Sequence, residues 1–236
     1  MGHFFQEYSA ESTKWHLKPF FNAICGLRIV MRRKTGIKVL DIGCAKGFMV
    51  RMLREGGMEA YGVDASEYAI SNAPSDVKSY LHLSDVESET LPFHDEFFDL
   101  VVSMSAFEHL HLERLMFVFR QINRVLKPEG LLVINVPSPL NKTEAKKPEH
   151  ITMMKRADWT GFVEKFGFSF DPRLSELFDA FRVKEIAKLY ISCGHAFSFM
   201  GLQFYLPKWT KDIVPLLMVL RRKLLAPNFS LVFSKV

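Results

Sequence analysis

The chain has 236 residues, 48% of them hydrophobic, with a formal net charge of +5 and a pI near 9.0. That length and apolar content build one domain with an elaboration around a sizeable core. Three cysteines (Cys25, Cys44, Cys193) without paired spacing exclude a disulfide framework and a zinc-cysteine site, which suits a reducing cytosol.

In chain order, the first twelve residues lack the basic region and long apolar run of a signal peptide. A helix is predicted from about Lys14 to Arg33, with Phe20, Ile24, Leu27 and Met31 as its apolar stripe. Arg28, Arg32, Arg33 and Lys34 gather at its end, where cations suit the helix dipole and are solvated. The modest basicity alone would favour nucleic acid slightly, but no basic–aromatic stripe or RNA-binding module accompanies it.

Residues 39–50, VLDIGCAKGFMV, carry the first functional signal. Val39, Leu40 and Ile42 read as a strand bearing Asp41, which breaks into the turn Gly43-Cys44-Ala45-Lys46-Gly47. Phe48, Met52 and Leu53 then open a helix ended by Gly56-Gly57. Small residues let a ligand touch backbone, and N–H groups at a helix start attract a carboxylate or phosphate. A dinucleotide fingerprint from Gly43 needs glycines where Ala45 and Phe48 stand, and a Walker loop needs the reverse of Lys46-Gly47. A second strand, 58–63, ends on Asp64, an acid ~20 residues after a glycine turn and so placed for ribose hydroxyls. Its other reading is a cap on a helix from Ser66 to Ala73.

Residues 77–83 alternate as a third strand before Ser84-Asp85-Val86, and 97–102 read as a buried strand entered by Asp99. Leu115, Phe119, Ile122 and Leu126 mark an amphipathic helix from Leu112. Lys127-Pro128-Glu129-Gly130 is expected to stop it and turn into the strand 131–136. Strand–helix alternation from 37 to 136 implies an open parallel sheet covered on both faces, its site at the carboxyl ends of the strands.

The D-x-G-x-A-x-G turn, the acid after the third strand, LPF (91–93), FDLVV (98–102), EHL (108–110) and RVLKPEG (124–130) occur in one order and spacing. Together they resemble the class I S-adenosylmethionine (SAM) methyltransferases of type 11 or type 23, a group that includes ubiquinone-biosynthesis enzymes. The resemblance is close over residues 37–139 and looser over 148–168. It implies an α/β fold: a doubly wound, Rossmann-like, seven-stranded, mostly parallel sheet with an N-terminal helical lid and a C-terminal helical insertion before the last strand. One methyltransferase domain is expected, divided into lid and helix (1–35), SAM-binding core (37–170), helical cap (173–227) and last strand (228–236).

The same resemblance assigns the cofactor site. Asp41, Gly43, Cys44, Ala45 and Gly47 would wrap the methionine end of SAM, Asp64 and Ala65 the ribose, and Asp85 and Val86 the adenine, with Glu87 an alternative acid. Ser103 lies where backbone meets the cofactor's amino group, Asp99 is structural, and Tyr8 in the lid would close over SAM. S-adenosylhomocysteine would be the product.

The sulfonium is already an excellent leaving group, so such an enzyme mainly aligns its acceptor in line with the S–CH3 bond and excludes water. For a hydroxyl acceptor the candidate bases are His109 and His150, each with the alternative of positioning a loop or capping a helix. Ubiquinone-type relatives carry a further glutamate, able to complete a metal site, where this chain has Ser105. No metal is therefore expected, and a catechol-type acceptor is less favoured.

The expected acceptor is a small molecule or a lipid- or glycan-linked one. The alternatives are an RNA or protein acceptor, or a SAM-binding partner protein without activity. About 18 uncharged residues from Leu189 to Leu206 are too polar to span a membrane comfortably. The insertion 173–227 reads as a cap over the acceptor pocket, or as a cap that also rests on a membrane surface. The expected location is cytoplasmic, with that second reading adding peripheral contact at the inner membrane face.

Overall fold

The computed structural model describes residues 10–31, 36–179, 197–199, 202–204 and 228–236. Helix α1 (Ala10–Val30) leads into β1 (Lys38–Ile42), α2 (Phe48–Glu55), β2 (Glu59–Asp64), α3 (Glu67–Ser71) and β3 (Leu81–Leu83). Then follow β4 (Phe98–Met104), α4 (Leu112–Val125), β5 (Leu126–Pro137), α5 (Arg156–Glu164) and β6 (Phe168–Phe170). Two short strands, β7 (Phe197–Phe199) and β8 (Leu202–Phe204), make a separate antiparallel hairpin, and β9 (Asn228–Lys235) closes the chain.

The main sheet has seven strands in the order β3-β2-β1-β4-β5-β9-β6. From β3 to β5 every pairing is parallel, and β9 runs antiparallel between β5 and β6. The order reverses at β1/β4, so the crevice for a ligand opens at the carboxyl ends of those two strands.

Each central strand is apolar on both faces because helices cover both. Leu40, Ile42, Val101, Leu132 and Ile134 face a core with Leu115, Phe119, Ile122 and Trp159 from α4 and α5. Val39, Leu100, Val102, Leu131 and Val133 face the opposite core, with Ile24, Leu27, Val50 and Leu53 from α1 and α2. The expected stripe of α1 does pack there: Ile24 and Leu27 are fully buried, and Phe20 and Met31 lie against them.

Two family motifs act as braces. Arg124 donates to the carbonyls of Leu91 (2.9 Å) and Phe93 (2.8 Å) and to Asp95 (2.7 Å), tying RVLKPEG to the LPF loop. Buried Asp99 accepts Lys127 Nζ at 2.8 Å and the Lys38 backbone N–H at 2.9 Å, joining the feet of β1, β4 and β5. Its structural role is therefore visible.

Several expectations change. The third strand is shorter than 77–83: residues Lys78–Tyr80 form a 3-10 turn, and only Leu81–Leu83 pair. Lys127–Gly130 does not separate helix from strand, because β5 already begins at Leu126, paired with Phe98. Arg28 is not a solvated cation at the end of α1, since its guanidinium donates to Gly56 O at 2.8 Å. In the insertion, residues 197–199 and 202–204 are a hairpin and not helix. The rest of the cap beyond 179, together with Tyr8 and Arg32–Lys34, lies outside the described residues. Among the described residues, no helix is long and apolar enough to cross a membrane.

Candidate active site

The turn after β1 is shaped by close approach of backbone to its neighbours. Gly43 and Cys44 both donate to Val63 O (2.9 and 3.1 Å), which docks the turn on β2. Gly43 has φ +79°, and a Cβ there would stand 2.5 Å from Ala106 Cβ. At Gly47, with φ +75°, a Cβ would stand 2.6 Å from Leu81 Cδ1. Both positions need glycine for space and for backbone conformation. Ala45 takes φ +48° without being glycine, a left-handed conformation costing roughly 1–2 kcal/mol for an L-residue. A hydrogen bond of 2.8 Å from its N–H to Asp64 Oδ2 holds it there.

Asp64 also accepts the Ser66 N–H at 2.8 Å through Oδ1. It therefore knits the glycine turn to the loop after β2, while Ser66 itself caps α3 by accepting from Ala69 N–H. Each carboxylate oxygen keeps a second acceptor site for a hydroxyl donor. Ala65, in that loop, is exposed.

Asp85 caps its own turn: its Oδ1 accepts Glu87 N–H at 3.0 Å and its Oδ2 accepts Ser88 Oγ–H at 2.7 Å. Val86 packs against the α4-side core. Glu87, the alternative acid, is engaged elsewhere, accepting the His111 N–H at 2.7 Å at the start of α4.

Three features fit a polar, cationic guest at the strand ends. Ser84 and Ser103 are 4% and 1% exposed, and the hydroxyl of each lacks a hydrogen-bond partner. Asp41 is buried, and desolvation, helped by the neighbouring Asp64 charge, pushes its carboxyl up to about 7. A cation arriving beside it favours the ionised form. The Cys44 thiol is buried and raised well above its usual range by that burial, so Cys44 offers backbone and no reactive sulfur.

The turn after β4 carries the second half of the site. Ser105 turns the chain at φ +56°, and Ala106 sits against Gly43. A 3-10 turn, Phe107–His109, follows directly. Thr152 N–H donates to Glu108 O at 3.0 Å and Thr152 Oγ–H to Leu110 O at 2.7 Å. These bonds lay the segment after β5 along that turn.

His109 and His150 consequently meet with ring centroids 5.0 Å apart. Burial, then the nearby His109, lowers the His150 imidazole below its usual value. Glu108 is 2% exposed, with Oε2 unpartnered, and desolvation pushes its carboxyl up to about 7. The sequence pairs Glu108 with His109 but gives no sign that both meet His150, because hydrogen bonds between residues about 40 apart create the contact.

Among the residues expected in the site, the structure brings Asp41, Gly43, Ala45, Gly47 and Asp64 into one bonded turn, and His109 together with His150. Ser103 lies at the end of β4 with a free buried hydroxyl, while Asp85 is occupied within its own turn.

A parallel sheet with an antiparallel strand beside β5, and a glycine turn at the β1/β4 crossover, define the class I SAM-dependent methyltransferase fold. Residues 40–134 match the family model described as a methyltransferase domain. That segment is a type-11 methyltransferase domain, and SAM is the cofactor of its class. A methyltransferase of Synechocystis sp., itself uncharacterised, is 32% identical over 99 residues, 42% of this chain and 46% of that protein. The 24-methylenesterol C-methyltransferase 2 of Oryza sativa is 29% identical over 132 residues, 52% of this chain and 35% of that protein. The solved SAM-dependent methyltransferase of Archaeoglobus fulgidus shares the fold with a TM-score of 0.62 at 19% identity, over 98% of each chain. The chain spans about half the length of the curated relatives it matches.

Proposed function

We propose that this chain transfers the methyl group of SAM to a small-molecule or lipid- or glycan-linked acceptor by in-line displacement. The reading is carried by the contact of Gly43 with Ala106, which sets the cofactor turn beside the loop bearing Glu108 and His109. A sulfonium methyl needs little activation, so an acceptor held at that junction and shielded from water is sufficient for transfer. Asp41, Gly43, Cys44, Ala45 and Gly47 take the methionine portion; Asp64 and Ala65 take the ribose, and Ser103 the amino group. Asp85 and Val86 meet adenine, which asks Asp85 to accept from the ring amine alongside its own turn. For a hydroxyl acceptor, His109 or His150 removes the proton.

The sterol named for the rice relative supports a lipid-like partner, as does the apolar, basic insertion with its uncharged stretch from Leu189 to Leu206. Peripheral contact of that insertion with a membrane follows from the same composition.

Calorimetry with SAM and with S-adenosylhomocysteine tests the cofactor half; saturable binding of both is expected, and binding of neither would overturn it. An Asp64→Ala variant should bind both far more weakly, and unchanged affinity would remove the ribose assignment. Transfer of radiolabelled methyl into lipid and polar fractions of a cell extract identifies the acceptor class.

A further inference from the structure

We infer that Glu108, His109 and His150 form a binding site for a divalent transition-metal ion at the 3-10 turn after β4. The ligand atoms of the three side chains all lie within 4.8 Å of one another. Ligands on one ion with bonds of about 2.0–2.2 Å stand at most about 4.4 Å apart, so small side-chain rotations would close these atoms onto an ion.

Two ligand atoms in the cluster are buried and make no hydrogen bond, although His150 Nδ1 lies 3.7 Å from Glu144 Oε2. Glu108 Oε2 and His150 Nδ1 have no hydrogen-bond partner, although Glu108 is 2% exposed and the His150 side chain 4%. Leaving such groups unsatisfied costs about 1–3 kcal/mol each, so the fold keeps them for something. An ion would satisfy both together.

The third ligand is already oriented for a metal. His109 Nδ1 lies 2.9 Å from Glu149 O, and donating its proton to that carbonyl leaves Nε2 with a free lone pair. A ring nitrogen fixed by a backbone carbonyl is the usual outer support of a metal-bound histidine. Thr152 pins the two segments together on the far side, so the cluster does not depend on the ion for its geometry.

The ligand set also decides the kind of ion. Two imidazoles and one carboxylate suit zinc and its first-row neighbours better than magnesium or calcium, which favour oxygen. Three protein ligands leave an open position for water or an acceptor oxygen. Ser105 removes one conceivable carboxylate from this turn, and His150, brought in from the segment after β5, stands in its place. Without the ion, the histidines are the bases described above. With it, they would be ligands, and the ion would acidify a bound hydroxyl whose proton would pass to water.

The inference does not depend on the acceptor or on SAM binding, which are measured separately. Untagged protein, stripped with chelator and dialysed, is titrated with Zn2+ by calorimetry and with Co2+ by visible absorption. One equivalent of Zn2+ and a d–d spectrum of low coordination number are expected. His150→Ala and Glu108→Gln should each weaken Zn2+ binding by at least about 10–100-fold, the loss typical even of outer-shell changes. Both variants should still bind S-adenosylhomocysteine, which shows that they are folded. Absence of stoichiometric Zn2+ and Co2+ binding in the wild type overturns the site, as does Zn2+ binding unchanged in both variants.

Discussion

Asp41 is the residue through which cofactor binding should become pH-dependent. Its carboxyl is raised from 3.8 to about 7 because it is buried beside Asp64. The unfolded chain ionises this group near 4 and the folded one near 7, so the folded state binds more protons between those values. Its contribution to stability is therefore fully present below about pH 4 and is lost as pH rises towards 7. A cation bound next to Asp41 reverses that preference. The affinity for SAM should rise with pH up to about 7, by at most about tenfold per unit, and level off above it. Calorimetry from pH 5.5 to 8.5 checks the trend, and Asp41→Asn should flatten it. Ala45 illustrates the other side of residue-scale design, since a strained φ is held by the hydrogen bond that its N–H donates to Asp64.

At the scale of elements, the family motifs outside the glycine turn are mostly braces. Asp99 and Lys127 form an ion pair of 2.8 Å whose acid is 3% exposed and whose lysine is 29% exposed. Asp99→Ala leaves the Lys38 N–H and a half-buried ammonium without a partner. It should destabilise the fold by about 3 kcal/mol, the low end for breaking a buried pair. Lys127→Ala should cost less than half as much only if water reaches Asp99, so urea unfolding of both single variants and the double variant apportions the pair. S-adenosylhomocysteine affinity of the folded fraction should be unchanged in both. Arg124 does the same work for the loop at 91–95, which explains why LPF and RVLKPEG occur together.

Across the whole molecule, the sheet is completed only when the last residues arrive. β9 pairs with β5 from Asn228 to Ser234 and buries Leu231, Val232 and Phe233 completely. At about 1.5–3 kcal/mol per large buried side chain, these three contribute roughly 5–9 kcal/mol, comparable to the net stability of a domain. Removing residues 228–236 should abolish cooperative unfolding, measured by circular dichroism in urea. A truncated chain that still unfolds cooperatively would show that β5 and β6 close without β9.

The glycine turn was legible in the sequence because its determinants are local. The spacing of Asp41, Gly43 and Gly47 predicts a turn whose glycines have no room for a Cβ, and the structure shows those close approaches. The position of Asp64 at a strand tip is likewise local, although its bond to Ala45 is not. The apolar periodicity of α4 marks its buried face correctly, with Leu115, Phe119 and Ile122 fully buried. Strand lengths and starts were less legible, because Leu126 joins β5 through pairing with Phe98, and pairing partners are not written in a local pattern.

What the sequence determined by itself is thus the fold class and the glycine turn, which rest on short-range spacing and on conformations that only certain residues adopt. The class of cofactor came from the order of motifs shared with a known family. Only the tertiary structure decided which polar groups beyond β4 meet. Glu108, His109 and His150 belong to segments about 40 residues apart, and hydrogen bonds from Thr152 and to Glu149 O bring them within reach of one another. Burial then leaves Glu108 Oε2 and His150 Nδ1 without a hydrogen bond, a property that no residue carries alone.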